Sequence, residues 1–438
     1  MSQAVNILGL GYLCKREPRA LHDRSRARMR ARQAAVSTII AALMTNRAVF
    51  LLSLAAFASA ASLRATDTLL PQLAIEFSTT TGSAAAVVTA FAVSYGLLQA
   101  VYGPLGDRYG KYRLVCATTL ASALGTFACA WAPGLDILII ARFVAGATVG
   151  ALIPLSMAWI GDVVAYGERQ ALIARFLLGQ ILGTAFGQSV AGLLAEQFGW
   201  RAIFIVLGVL YLIVGALLLA ELRANPVTRQ PPGDATASIR SGLARMAGLL
   251  AHRWVRIIVG TVFLEGMIMF GSIAFIPVHL QQHFSLGPAV AGAMVTAYAA
   301  GGVLYALGAR RFVAGLGESG LALCGALILG LGYLLLAFAP VAWASLPGIL
   351  LIGVGFYMLH NTLQVNATQM APAARGAAVS LFALCLFTGQ SLGVWLAGRV
   401  VDAYGTEPVF IAAALGLVLL GLNFRRLLKQ HKQHSAAA

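Results

Sequence analysis

Four ionisable residues stand in stretches that could otherwise dissolve in oil. They are Arg64 and Asp67 in "LAAFASAASLRATDTLL" (54–70), Arg142 in "ILIIARFVAGATVG" (137–150) and Glu265 in "VRIIVGTVFLEGMIMF" (255–270). Each costs roughly 2.5–3.5 kcal/mol near the centre of a membrane helix, so such residues are kept where they serve function. Arg64 and Asp67 are three apart and share one helix face. A protonatable acid beside two arginines suits a proton- or substrate-coupled switch, in which neutralising Asp67 frees a cation to rearrange or to bind an anion. The alternative is a static buried ion pair. Glu265 has no Lys or Arg on another span of its half as an evident partner. It reads as a second proton-coupling site, or as a protonated acid hydrogen-bonded to a neighbouring helix. "FYMLHNTLQVN" (356–366) adds His360, Asn361, Gln364 and Asn366 on a polar helix face, for substrate or for helix–helix contact. Tyr95, Gln99, Gln180, Met267, Phe270 and Tyr298 are further candidates for a cavity wall, with plain packing as the competing role.

The elements that must position these groups are membrane helices. The 438 residues are 59% hydrophobic and 11% charged, against about 25% charged in soluble domains. Apolar runs long enough to cross a hydrocarbon core of about 30 Å recur along the chain. Twelve spans are predicted, near 48–74, 83–105, 112–132, 137–160, 170–195, 201–221, 255–280, 288–309, 317–340, 344–367, 376–399 and 407–427. Asp67 lies about six residues before the end of the first span and Arg142 about five into the fourth, which sets both roughly 10 Å below one surface. Glu265 falls near the middle of the seventh.

The net charge of +16 orients the chain rather than binding nucleic acid. Of 31 Lys and Arg, only Arg64, Arg142, Arg201 and Arg399 lie outside the tails and the even-numbered loops. That bias is the positive-inside signature, placing both termini in the cytoplasm. Anionic lipid headgroups are a secondary attraction for it. The expected organisation is a basic tail (1–46), a six-helix bundle (47–221), a cytoplasmic linker (222–254), a second six-helix bundle (255–427) and a short tail (428–438). "FASAAS" (57–62) mimics a signal-peptidase site, but the apolar run continues to Pro71, so the first span is expected to stay uncleaved. The five cysteines are scattered and read as small core residues.

The two halves repeat. "FS" at 77–78 and "VTAFA" at 88–92 recur as "FS" at 284–285 and "VTAYA" at 295–299, and Gly110 falls on Gly317, all 207 residues on. Arg169 falls on Arg375, 206 on, and "GQS" (187–189) on "GQS" (389–391), 202 on. Six intervening spans give both copies one orientation, a parallel repeat that sets a substrate site between the halves near the midplane.

"GPLGDRYGKYR" (103–113), between spans two and three, resembles the loop signature of the major facilitator superfamily. "RFVAGATVG" (142–150) is similar to that family's span-four motif. "GQILGTAFGQSVAG" (179–192) resembles the span-five motif of its drug:proton antiporter branch, with Gly187-Gln188 and Ala191-Gly192 where that motif has Gly-Pro and Gly-Gly. The resemblance implies an all-α transporter with a conformational latch at Gly103, Asp107, Arg108, Gly110 and Lys111. Gly103 is expected to let span two approach a neighbour, Gly110 to make the reversal, and the cations to stay in water. Ala314 replaces Asp107 in the second copy, so the latch is one-sided. Span five presents Gly179, Gly183, Gly187 and Ala191, with Gln188 beside them, as a hinge, a seal or a packing stripe.

No ATP-binding P-loop, HExxH or GxSxG sequence occurs. The chain is therefore read as no enzyme, with no cofactor and no metal ligands. The expectation is a monomeric, proton-coupled exporter of small organic molecules in the plasma (inner) membrane. The alternatives are an uptake symporter or facilitator for a sugar or organic anion, with Arg64 and Arg142 as ligands, and a non-transporting sensor or scaffold.

Overall fold

The computed structural model describes residues 43–164, 166–229 and 239–437. Of the expected basic tail, residues 1–42 lie outside these, as do Cys14 and 230–238 of the linker. The described residues are helical and contain no strand. Among the described residues, eleven helices are long and apolar enough to cross a membrane: α1 Leu43–Glu76, α2 Thr81–Tyr109, α3 Lys111–Ala130, α4 Leu135–Val163, α5 Leu172–Phe198, α6 Arg201–Ala224, α8 Arg253–Gln282, α9 Pro288–Ala337, α10 Ala342–Gln369, α11 Arg375–Tyr404 and α12 Glu407–Gln433. Between α6 and α8 lies the short helix α7, Ile239–Leu249.

At 50 residues, α9 is about 75 Å long at 1.5 Å per residue, more than twice a hydrocarbon core. It is broken at Gly317, where φ 59° and ψ 175° leave the helical region. Gly110 does the same work between α2 and α3 (φ 90°). A side chain is disfavoured at such angles, which is why glycine occupies both. The described residues with positive φ form three pairs across the halves: Ser78 with Ser285, Gly110 with Gly317, and Gly199 with Gly405. Each pair is 206 or 207 residues apart, so the repeat is written in the backbone turns.

Apolar side chains collect in two main clusters. One is drawn almost wholly from α1–α6 and the other from α8–α12. Small residues let the helices of each half close up. A Cβ on Gly179, Gly183 or Gly187 of α5 would strike the backbone oxygens of Ser53, Phe57 and Ala61 on α1. On α11, Gly389 and Gly393 meet the oxygens of Phe263 and Met267 on α8 in the same way. Gly183 therefore corresponds to Gly389 and Gly187 to Gly393, 206 residues on. The match of "GQS" with "GQS" at 202 is one helical turn out of register, because backbone approach fixes the pairing rather than letter identity.

Within the stretch expected as the linker, α7 buries Gly242, Met246 and Leu249 on one face. Met246 and Leu249 join Ala100 of α2, Val255 and Val259 of α8 and Ala378 and Leu381 of α11 in a small apolar cluster. At the C-terminal end, helix continues through the expected tail as far as Ala437.

Candidate functional site: two buried acids

All four intramembrane charges point inward. Arg64 is 3% exposed, Asp67 0%, Arg142 2% and Glu265 0%. Both acids sit where the helix departs from regular α geometry. Asp67 opens the 3₁₀ turn Asp67–Leu69 within α1. Glu265 ends the regular part of α8 and is followed by the π-helical turn Gly266–Phe270. Such turns are rare in helices and recur at functional sites.

In the first half Arg64 Nη1 donates to Asp67 Oδ2 at 3.3 Å. Asp67 Oδ1 has no protein partner. Arg142 reaches the same turn of α1 without pairing with the acid. Its Nη2 donates to Ser62 O (3.2 Å) and Thr66 Oγ1 (3.3 Å), its Nε to Val87 O (3.4 Å). The guanidinium lies 4.0 Å from the centre of the Phe91 ring. The sequence brings Arg142 to the right depth, yet the cation that holds Asp67 is Arg64.

In the second half Glu265 Oε2 lies 2.8 Å from His360 Nδ1 on α10. Sequence reasoning misses this partner when it looks for Lys and Arg alone; His360 already stands on the polar face of its span. Phe356, one turn earlier, stacks on the imidazole (4.8 Å, 17°), and Phe382 of α11 approaches it at 5.6 Å. Phe270, the last residue of the π turn, meets Phe356 edge-on at 5.3 Å. Arg64 lies 4.6 Å from the centre of the Phe270 ring. A continuous run of contacts thus joins Asp67, Arg64, Phe270, Phe356, His360 and Glu265, crossing from one half to the other. A cation over an aromatic face contributes about 0.5–2 kcal/mol, more when desolvated.

The remaining candidates divide. Tyr95 packs its ring against Phe387 of α11 (4.3 Å). Tyr298 lies beside Phe356 at 6.0 Å. Gln99 is committed to holding α2 on α4, donating to Gly150 O at 3.0 Å. Gln180 and Asn361 are half-buried and Gln364 is exposed, so of that polar stretch His360 alone pairs with a buried charge. Asn366 donates to Thr362 O within its own helix. Gln188 and Ala191 are fully buried, and the Gln188 carbonyl accepts from Thr68 at 3.3 Å.

The latch glycines exchange roles. A Cβ on Gly103 would meet nothing within 4 Å, whereas one on Gly106 would strike Leu155 of α4. The close approach is made at Gly106. Nor is Lys111 left in water. Its Nζ bridges Asp107 Oδ1 (3.0 Å) and Asp162 Oδ2 of α4 (2.6 Å), and its side chain is 20% exposed. Arg108 lies over Tyr109. Nearby, a cavity of about 660 Å³ is bordered by Tyr109, Arg113, Cys116, Leu120 and Arg223, away from the four buried charges.

At the opposite ends of the helices the halves are tied by hydrogen bonds. Asp402 accepts from Thr80 Oγ1 (2.6 Å) and Gly82 N (2.7 Å). Gln281 donates to Thr68 O (3.0 Å), Gln282 to Thr81 Oγ1 (3.1 Å), and Ala289 N to Glu196 (2.9 Å).

The sequence profile of the Major Facilitator Superfamily matches residues 52–393 and again 258–437. The chain belongs to this family. It is a multi-pass membrane protein of a transporter family, which is not an enzyme class. An uncharacterized MFS-type transporter, YceJ, of Bacillus subtilis (strain 168) is 26% identical over 384 residues, covering 84% of this chain and 93% of the relative. The class C tetracycline resistance protein of Escherichia coli is 28% identical over 360 residues, 74% of this chain and 85% of that one. The fold is shared with a mutant form of the nucleoside transporter NupG, at a TM-score of 0.72 and 16% identity, covering 86% of this chain and 98% of that one.

Proposed function

We propose that the chain is a proton-coupled exporter of small organic molecules, driven by an ion gradient and working by alternating access. Asp67 and Glu265 are the proton carriers. The observation that carries this reading is the run of contacts from Asp67 through Arg64, Phe270, Phe356 and His360 to Glu265. It gives each half a protonatable group and links both to the seam where a substrate would sit. A change of charge at either acid alters the contact between the halves, which is what coupling requires. Likeness to a tetracycline resistance protein favours export.

Within this reading α9 counts as two spans divided at Gly317, which gives twelve spans in two six-helix bundles (47–221 and 255–427). The basic loops face the cytoplasm with both termini, in the plasma (inner) membrane of a monomer. The hydrogen bonds around Asp402, Gln281 and Gln282 close the outer side. The Asp107–Lys111–Asp162 bridge is the cytoplasmic latch, held within the first half in this state. Arg142 is already occupied by Ser62, Thr66, Val87 and Phe91, which argues against its serving as a free anion ligand in an uptake symporter.

The test is dye or drug accumulation in inverted membrane vesicles under an imposed inward-acid gradient. Accumulation is expected for the native chain and should be lost in Asp67→Asn and Glu265→Gln. Accumulation that persists in both variants would remove proton coupling from the account.

A further inference from the structure

We propose that His279, His283 and Glu407 form a binding site for a divalent transition metal, zinc being favoured by the ligand set. The site lies at the ends of the helices opposite the Lys111 loop and rests on local geometry, independently of the transport reading. His279 and His283 occupy successive turns at the end of α8, in and just after the helical segment Ile276–Gln282. Glu407 opens α12. One ligand atom from each of the three lies within 4.8 Å of the others. A tetrahedral zinc with bonds of about 2.0–2.2 Å holds its ligand atoms about 3.3 Å apart, so the longest separation must shorten while the 2.9 Å contact of His283 with Glu407 opens a little. The groups that must move are the ones with room to do so: the His283 and Glu407 side chains are 47% and 35% exposed.

His279 is set for the part. It is 1% exposed, and its Nδ1 lies 2.7 Å from Thr406 Oγ1. Its Nε2 is buried with no protein partner. With the hydrogen on Nδ1 donated to the hydroxyl, the Nε2 lone pair is left for a metal; ligating histidines are ordinarily oriented through the other ring nitrogen in this way. The rings of His279 and His283 lie face to face, tilted by 18°. His283 Nδ1 and Glu407 Oε1 are 2.9 Å apart, a contact whose proton a metal would replace. Two neutral imidazoles and one carboxylate suit zinc, copper or nickel better than calcium or magnesium, and leave a coordination position for water. The residue order does not announce the site, because His283 and Glu407 are far apart along the chain.

The segment that carries the histidines also reaches across to the first half through Gln281 and Gln282. A metal bridging it to α12 pins it from a second side.

Titration of zinc into the tag-free, chelator-treated full chain, followed calorimetrically, tests the site. One zinc per chain is expected. His283→Ala and Glu407→Gln should each weaken binding at least about tenfold, while His252→Ala, at the other end of α8, should not. Cobalt should give the intense visible absorption of a tetrahedral site. Zinc should slow amide exchange over residues 276–283. No saturable binding, or undiminished binding in both the His283 and Glu407 variants, would overturn the proposal.

Discussion

Asp67 in the first half and Glu265 in the second are both fully buried and are satisfied differently. Asp67 is held by Arg64, whose guanidinium is a cation. Glu265 is held by His360, an imidazole. Removing Arg64 takes from Asp67 both its hydrogen bond and its paired cation. Removing the imidazole leaves an acid that also loses its sole hydrogen bond, but not a fixed positive charge. The repeat therefore preserves the scaffold while the chemistry diverges. Backbone turns and glycine stripes correspond 206 or 207 residues apart; the two buried acids and the side chains that hold them do not.

This contrast can be broken most sharply at Arg64. Arg64→Ala should lower stability by about 3–5 kcal/mol, the usual cost of stripping one member from a buried pair, read as a fall in the unfolding midpoint in detergent. Asp67→Asn in the same chain should restore much of it. His360→Ala should cost less, about 1–3 kcal/mol, the penalty of one unsatisfied buried polar group. Equal losses would mean the two sites do not differ as described.

The shared scaffold predicts matched effects. Gly187→Val and Gly393→Val each drive a side chain into a neighbouring backbone and should cost about 1–3 kcal/mol apiece by overpacking. A large loss at one and none at the other would contradict the register. Gly103→Ala, in open space, should stay within about 0.5 kcal/mol of the native chain, whereas Gly106→Val should destabilise. Smallest of all, Asp162→Asn removes one half of the Lys111 bridge and should cost about 0.2–1 kcal/mol, as expected for a partly exposed pair.

Much of the fold is legible in the residue order because a membrane span is a local property. Apolar length, flanking arginines and turn glycines are all written within some thirty residues, and the predicted spans fall on the observed helices to within a few residues at most ends. Pairings between spans are not local. Nothing near Glu265 names His360, and although the three-residue spacing offers Arg64 to Asp67, nothing local says that Arg142 will turn to Ser62, Thr66 and Val87 instead. The glycines of the loop motif show the same limit. Their spacing is visible, but which one touches a neighbour depends on how α4 crosses α2. Short amphipathic α7 escapes notice because its few buried residues are outweighed by the prolines and polar residues before it.

The central claim is that both buried acids exchange protons while the protein stays folded. Infrared difference spectra of the reconstituted protein between acidic and alkaline buffer test it without a known substrate. A carboxylic-acid carbonyl band should appear on acidification, and Asp67→Asn and Glu265→Gln should each remove part of it. A spectrum unchanged by either substitution would show that neither acid titrates, and the proposed coupling would have no carrier.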